Sequence, residues 1–297
     1  MADMNEGDVQ AVQSRDREAN TNSEHDARPI MEGNFGTQSA SSHPVPPALL
    51  EAKEYKMSYP KHGKCVIFNY EHFDNRLKLT ERTGTTVDAE SLKECFSSLG
   101  FETDVHKDLT VKETKKTLQG LGKGIDKNDY CFVCCILTHG IRDILYGKDG
   151  KFSVQDVIKP FLGDACPNLC GKPKLFFIQA CRGDRRDPGA PAAGLDRADS
   201  TQTYMIPNHA DILVAYSTVP GFLSWRNTVQ GSWFIQALCP VLQEQADSMD
   251  LLSMLTVVNC HVALKFESPT GEKQVPLVTS SLLRQVWFKP KKGEAHS

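Results

Sequence analysis

Two side chains in this sequence have the chemistry of a nucleophile and its base. Cys181 follows the apolar run Leu175-Phe176-Phe177-Ile178 and is itself followed by the polar turn Arg182-Gly183. So apolar a run reads as a buried strand, and a strand end is rigid on one side and open to solvent on the other. A thiol placed there is both held and reachable. It attacks well only as thiolate, so it needs a base. His139 closes a second apolar run, 130–138, and its imidazole could take the thiol proton and later return it to a leaving amine. Attack on a carbonyl also requires donors for the developing oxyanion. The backbone N–H groups of Gly140 and Cys181 are the candidates, glycine because it puts no side chain in the way. A lone strand-end histidine, or one thiol among ten, would be read as structural. The pairing of His139 with a thiol in a polar turn favours chemistry.

The elements that would position this pair alternate. A strand is expected over 65–69, a helix over 87–99 with Thr85 and Asp88 spaced as a capping box and Gly100 as its stop, and a strand over 101–106. Thr110 with Glu113 opens a second helix to about 118, which Gly120, Gly122 and Gly124 should break. The strand over 130–139 is too apolar to have a wet face and should be central. Ser153 with Asp156 starts a helix to about 161, and strands follow over 175–180 and 211–217. Helices are expected over 234–245 and, after Asp250 as N-cap, over 251–266. The segment 275–288, interrupted by Pro276, should contain an edge or near-edge strand. This pattern predicts an α/β fold, a mostly parallel central sheet flanked by helices on both faces. His139 and Cys181 then lie at C-terminal strand ends, where open α/β sheets place their sites. An apolar edge strand would also suit a dimer seam across which the sheet continues.

Composition narrows the class. The 297 residues are 40% apolar, enough for a large core, and the formal charge of −3 gives no basic face for nucleic acid or an anionic membrane. No run of about 18 apolar residues and no secretory signal pattern occurs, so an intracellular, cytoplasmic protein is expected. The ten cysteines are dispersed, several of them within apolar strands, which favours reduced, buried thiols. The spacing of Cys166 and Cys170 lacks a second ligand pair, so no metal and no cofactor is expected.

Two stretches read as unstructured. Residues 1–55 are too polar to offset their ordering entropy and form an expected disordered leader, with an exposed acidic site ending at Asp26. Residues 183–203 carry Asp184, Asp187, Asp196 and Asp199 among Gly, Pro and Ala, and read as a mobile functional linker. The tripeptide Arg182-Gly183-Asp184 is an integrin-binding sequence, a reading disfavoured in an intracellular chain.

From about Lys64 to Phe288 the chain resembles the caspases, most closely the executioner type. Six segments carry the resemblance: Arg82-Thr83-Gly84-Thr85, Leu137-Thr138-His139-Gly140, Gly171-Lys172-Pro173-Lys174-Leu175-Phe176, Gln179-Ala180-Cys181-Arg182-Gly183, Ser224-Trp225-Arg226-Asn227 and Gly231-Ser232-Trp233-Phe234. The resemblance implies an Asp-specific cysteine endopeptidase made as a zymogen and acting in apoptosis. It implies that the carbonyl of Thr80 orients His139, and that Arg82, Arg226 and Gln179 hold the P1 carboxylate. Paired guanidiniums are the right chemistry for that, because each planar fork can bind both oxygens. It places Leu223, Ser224 and Trp225 along the substrate, with Leu223 and Trp225 as the S2 wall and Asn227 and Trp233 at S4. It also implies a large subunit over 56–199 and a small subunit over 200–297, released by cutting after Asp199 or Asp196. The processed halves would then pair into a homodimer, with upstream initiator caspases and inhibitor-of-apoptosis proteins as partners.

This sequence departs from the executioner pattern twice. Leu223 stands where tyrosine is usual, which should leave S2 roomy, and the loop that closes S4 is reduced to 268–273 without an aromatic residue. A tolerant P2 and a P4 choice split between Asp and apolar residues are expected. Two other readings compete. A catalytically silent homologue should lack the Cys, the His or an S1 arginine, and a relative cutting after Arg or Lys should have acidic groups in S1. Neither mark is present.

Overall fold

The computed structural model describes residues 51–58, 61–187 and 208–289, all within one compact unit that begins at Pro47. Its strongest elements are the runs that have no polar alternation. β1 (Gly63–Asn69), β3 (Cys131–Leu137), β7 (Lys174–Gln179) and β8 (Ile212–Tyr216) are buried almost throughout. Strands of that kind must be covered on both faces, which is the condition of a parallel sheet. With β2 (Phe101–Lys107) and β11 (Leu277–Ser280) they form one six-stranded sheet in the order β11-β8-β7-β3-β1-β2. Every neighbouring pair is parallel except β11 with β8.

Because side chains alternate along a strand, each strand feeds two cores. In β3, Cys131, Val133, Cys135 and Leu137 face one side with Leu92 and Phe96 of α1 (Thr85–Ser98), Leu238 of α4 (Trp233–Gln245) and Val258 of α5 (Leu251–Lys265). Phe132, Cys134 and Ile136 face the other, with Leu118 of α2 (Val111–Lys123) and Val157 of α3 (Val154–Ile158). Cys131, Cys134 and Cys135 lie in these cores, and burial pushes their thiols up. All ten cysteines are unpaired by disulfides.

Thr110 with Glu113 and Ser153 with Asp156 make the expected capping boxes, and Asp250 caps α5. Four expectations need correction. Thr85 and Asp88 make no capping box: α1 starts at Thr85 after Gly84, whose φ of 87° turns the chain without a side-chain cap. Asp88 is instead drawn across to Ser232. Second, α2 runs through Gly120 and Gly122, since Thr114, Leu118 and Gly122 form a buried face at helical spacing. A Cβ on Gly122 would come within 2.4 Å of the Pro160 carbonyl oxygen, so the glycine permits close packing there instead of ending the helix. Third, α3 stops at Ile158 and a 3₁₀ turn, Lys159–Phe161, replaces its last turn, with Pro160, which has no N–H to donate, near the start of that turn.

Fourth, one end of each stretch expected to be unstructured is docked on the fold. Tyr55 is buried, donates a 2.6 Å hydrogen bond from its hydroxyl to Asp211, and Glu54 bridges Gln285. Residues 1–50 of the leader lie outside the described residues. At the linker, Arg185 bridges Phe222 and Asp187 bridges Lys273, so residues 183–187 are docked. Residues 188–207, with Asp196 and Asp199, lie outside the described residues, as does Asp26. Two small ribbons complete the fold. β4 (Gly140–Ile141), β5 (Ile144–Tyr146) and β6 (Lys151–Ser153) follow His139, and β9 (Arg226–Asn227) pairs antiparallel with β10 (Gly231–Ser232). No described helix is long and apolar enough to cross a membrane.

Candidate active site

The β3–β7 register explains how residues far apart in sequence meet. Leu137 pairs with Gln179, and the Thr138 N–H donates to the Gln179 carbonyl at 3.1 Å. His139 and Cys181 therefore both sit two residues past one parallel pair, at the C-terminal edge of the sheet. Both line a cavity of about 260 Å³ together with Arg82, Thr138, Gln179, Ala180, Leu223, Ser224, Trp225 and Arg226.

The imidazole is fixed from behind. His139 Nε2 lies 2.7 Å from the Thr80 carbonyl oxygen, which can only accept, so Nε2 carries the proton and Nδ1 keeps its lone pair in the neutral ring. Phe73 packs against the ring at 5.0 Å. Burial, reinforced by the positive charges of Arg82 and Arg226 and opposed by the Thr80 bond, depresses the His139 pKa below the ordinary histidine value. The Cys181 Sγ accepts from the Ser224 N–H at 3.4 Å and lies 3.8 Å from the Ser224 carbonyl. The Cys181 N–H has no partner among the described residues. Gly140 backs directly onto this turn, where a Cβ would lie 2.8 Å from the Cys181 carbonyl oxygen and 3.0 Å from Ala180 Cβ. No other residue type fits there without displacing the cysteine.

Two guanidiniums also line the cavity. Arg82 is 1% exposed and donates to the Tyr70 carbonyl at 2.9 Å and to Thr85 Oγ1 at 2.6 Å. Burial, with Arg226 close by, brings its pKa down to about 9, which still leaves it charged at neutral pH. Arg226 donates from Nε to the Thr83 carbonyl at 3.1 Å, and burial depresses it as well. Gln179 donates to Ser224 Oγ at 2.8 Å, while its buried Oε1 has no partner among the described residues. Asp88 and Glu71 act on both guanidiniums from nearby, yet no described carboxylate is ion-paired to either, and desolvated cations so placed favour an anionic ligand.

Not every expected site residue reaches this cavity. Thr80 and Gly140 do not line it, but the Thr80 carbonyl contacts His139 and Gly140 packs against Cys181 and Ala180. Trp233 is buried at the start of α4, stacked between Trp225 and Phe266 at 5.6 Å from each, so it supports the Trp225 ring from behind. Asn227 is exposed, and its Oδ1 accepts from the Val229 and Gln230 N–H groups at 2.8 and 2.9 Å. Only its amide hydrogens are left for a ligand.

Several contributors were not visible in the sequence. Thr138 and Ala180 line the cavity simply because they adjoin the reactive pair. Arg186, assigned to the linker, lies 5.8 Å from the Trp225 ring and is ion-paired to Glu272 at 2.9 Å. Ser268 and Thr270 also donate to Glu272, which knots the short 268–273 loop closed. Gln274 is buried and accepts the Trp225 N–H at 2.6 Å while donating to the Ser217 carbonyl at 2.7 Å. Ser217 Oγ in turn bonds the backbone of Ala180, next to the nucleophile. A continuous hydrogen-bonded chain thus joins the Cys181 turn to the segment that carries Trp225.

Residues 62–287 match the caspase domain family of peptidases. The chain belongs to the caspase family. It is 40% identical to caspase-7 of Gallus gallus over 79% of this chain and 80% of that relative. It is 42% identical to caspase drICE of Drosophila melanogaster over 81% of this chain and 74% of that relative. The crystal structure of caspase-1 from Spodoptera frugiperda superposes with a TM-score of 0.74 at 42% identity, covering 82% of this chain and 96% of that one. As a caspase, the protein is a cysteine-type endopeptidase that cuts protein substrates after aspartate. The mostly parallel sheet with helices on both faces is that of the superposed caspase.

Proposed function

We propose that Cys181 is the nucleophile and His139 the general base and acid of an executioner-type caspase. The observation that carries the assignment is that one cavity holds the thiol, the Thr80-anchored imidazole, the buried Arg82 and the half-buried Arg226. The thiol proton passes to His139 Nδ1, and the thiolate attacks the backbone carbonyl carbon of the P1 aspartate. The oxyanion takes hydrogen bonds from the N–H groups of Cys181 and Gly140. Collapse expels the amine, which takes its proton from the imidazolium, and leaves a thioester on Cys181. Water, deprotonated by His139, then releases the acid and restores the thiol. Arg82 and Arg226, with the second amide hydrogen of Gln179, receive the P1 carboxylate. Leu223 and Trp225 form the S2 wall, Ser224 lies along the substrate backbone, and Asn227 offers its amide hydrogens at S4.

The chain is made as a zymogen, cut after Asp199 or Asp196 into a large and a small subunit that pair as a dimer of heterodimers. It acts in the cytoplasm in apoptosis, downstream of initiator caspases and subject to inhibitor-of-apoptosis proteins. Resemblance to executioner relatives supports that placement. The test of the catalytic assignment is a peptidyl ketone electrophile with aspartate at P1. Peptide mapping by mass spectrometry should place the adduct on Cys181 alone. An adduct on another thiol, or none in an active preparation, would refute it.

A further inference from the structure

The two S1 arginines come from distant parts of the chain, and the contacts that hold them at one separation form a closed ring. Arg82 Nη1 bonds Thr85 Oγ1, the first residue of α1, and Asp88 lies one turn further along the same helix. Asp88 is 1% exposed. Its Oδ1 accepts the Ser232 N–H at 2.7 Å and its Oδ2 accepts the Ser232 hydroxyl at 2.5 Å. Ser232 is the β10 residue that pairs with Arg226 on β9, and Arg226 Nε returns to the Thr83 carbonyl beside Arg82. The ring therefore runs from Arg82 through Thr85, Asp88, Ser232 and Arg226 back to Thr83.

Backbone packing along the same seam shows how closely the two segments are apposed. A Cβ on Gly84 would fall 2.4 Å from the Thr228 carbonyl oxygen, and one on Gly231 would fall 2.4 Å from Asp88 Oδ1. Both glycines have positive φ, 87° and 90°. The only side chain that closes the ring between α1 and the β9–β10 ribbon with two charge-assisted bonds is that of Asp88 among the described residues. Burial raises its pKa, while the Ser232 bonds and the nearby charges of Arg82 and Arg226 oppose that rise.

We propose that Asp88 is a positioning residue that clamps Ser232, fixes the spacing of Arg82 and Arg226, and so sets the length of acidic side chain accepted at P1. Aspartate and glutamate differ by one methylene, so a pocket of fixed width separates them and a loosened one does so less. The inference rests on the S1 reading of the two arginines. It does not place Asp88 in contact with substrate.

The test compares wild type, Asp88→Ala, Asp88→Asn and Ser232→Ala as active enzymes on paired peptides with P1 Asp, P1 Glu or P1 Asn. Asp88→Ala is expected to raise KM for P1 Asp by about tenfold or more with kcat nearly unchanged, and to lower the Asp-to-Glu ratio of kcat/KM. Asp88→Asn should restore most of that ratio, since its amide can accept from the Ser232 N–H and donate to the hydroxyl. Ser232→Ala loses one of the two bonds and should shift the ratio part of the way, which keeps the test open if the alanine at 88 does not fold. An unchanged Asp-to-Glu ratio in folded Asp88→Ala or Ser232→Ala overturns the proposal. So does an Asp88→Asn variant that behaves like Asp88→Ala, because charge and not the clamp would then matter. If wild type fails to prefer acidic P1 over P1 Asn, the S1 reading itself fails, and that outcome is distinct from either of these.

Discussion

At the scale of single residues, the account turns on which atom of His139 is free. The Thr80 carbonyl obliges Nε2 to carry a proton, so in the proposed mechanism Nδ1 is the base and the neutral ring is the reactive form. Burial holds the His139 pKa below the ordinary 6.5, so the ring stays neutral further into acid than a free histidine. The acid limb of kcat/KM should therefore fall below pH 6.5, measured with a substrate whose own ionisation is complete above pH 5. Stability carries the same sign: as pH falls through the ordinary histidine range the unfolded chain takes up a proton that the folded ring refuses, so this group's contribution declines on acidification. Cys181→Ala should remove turnover on the order of 10⁴-fold or more, since the two reactive groups act as a unit. Circular dichroism should stay native, because a half-buried strand-end thiol contributes little packing. Retained activity, or loss of the folded spectrum, would remove Cys181 from its assigned role.

At the scale of elements, the site is held by joints between segments far apart in sequence. Gly84→Ala forces a side chain into a positive-φ position and onto the Thr228 backbone. It should cost about 2 kcal/mol, lowering Tm by roughly 5 °C, together with a higher KM for P1 Asp. Gln274→Ala strands the Trp225 N–H and the Ser217 carbonyl. A loss of about 2 kcal/mol or more is expected in denaturant unfolding, with weaker binding of peptides that rest on the 224–226 segment. An unchanged midpoint would show that water replaces the amide. The same joints mark the limit of what the sequence made legible. Cys181 and His139 could be read because each follows a continuous apolar run, a signal that is local in the sequence. The β3–β7 register then brings the two together. Asp88 was read as a cap because Thr85 precedes it by three, yet its partner Ser232 is 144 residues away, and nothing local marks such a contact. Gln274 gave no signal for the same reason. Glycines in α2 were read as breakers, although one of them is there to touch Pro160.

At the scale of the whole molecule, the cut expected in the 188–207 stretch separates β7 from β8, which remain neighbours in the sheet. The fragments should thus stay together after cleavage, held by two buried parallel strands and by the Asp88–Ser232 and Thr83–Arg226 contacts across them. N-terminal sequencing of the small fragment should read Ser-Thr-Gln-Thr, and gel filtration without denaturant should recover both pieces in one peak. A start outside the linker, or separation of the pieces, would contradict the scheme. The central claim is that a thiol–imidazole pair and a two-arginine pocket in one cavity make an enzyme that cuts after aspartate. The measurement that tests it most directly is kcat/KM on tetrapeptide substrates identical except at P1. The account predicts aspartate favoured over asparagine and alanine on the order of 10⁴-fold, since uncharged side chains leave the two guanidiniums unpaired. Comparable turnover of P1 Asp and P1 Asn, or a preference for P1 Arg or Lys, would contradict it.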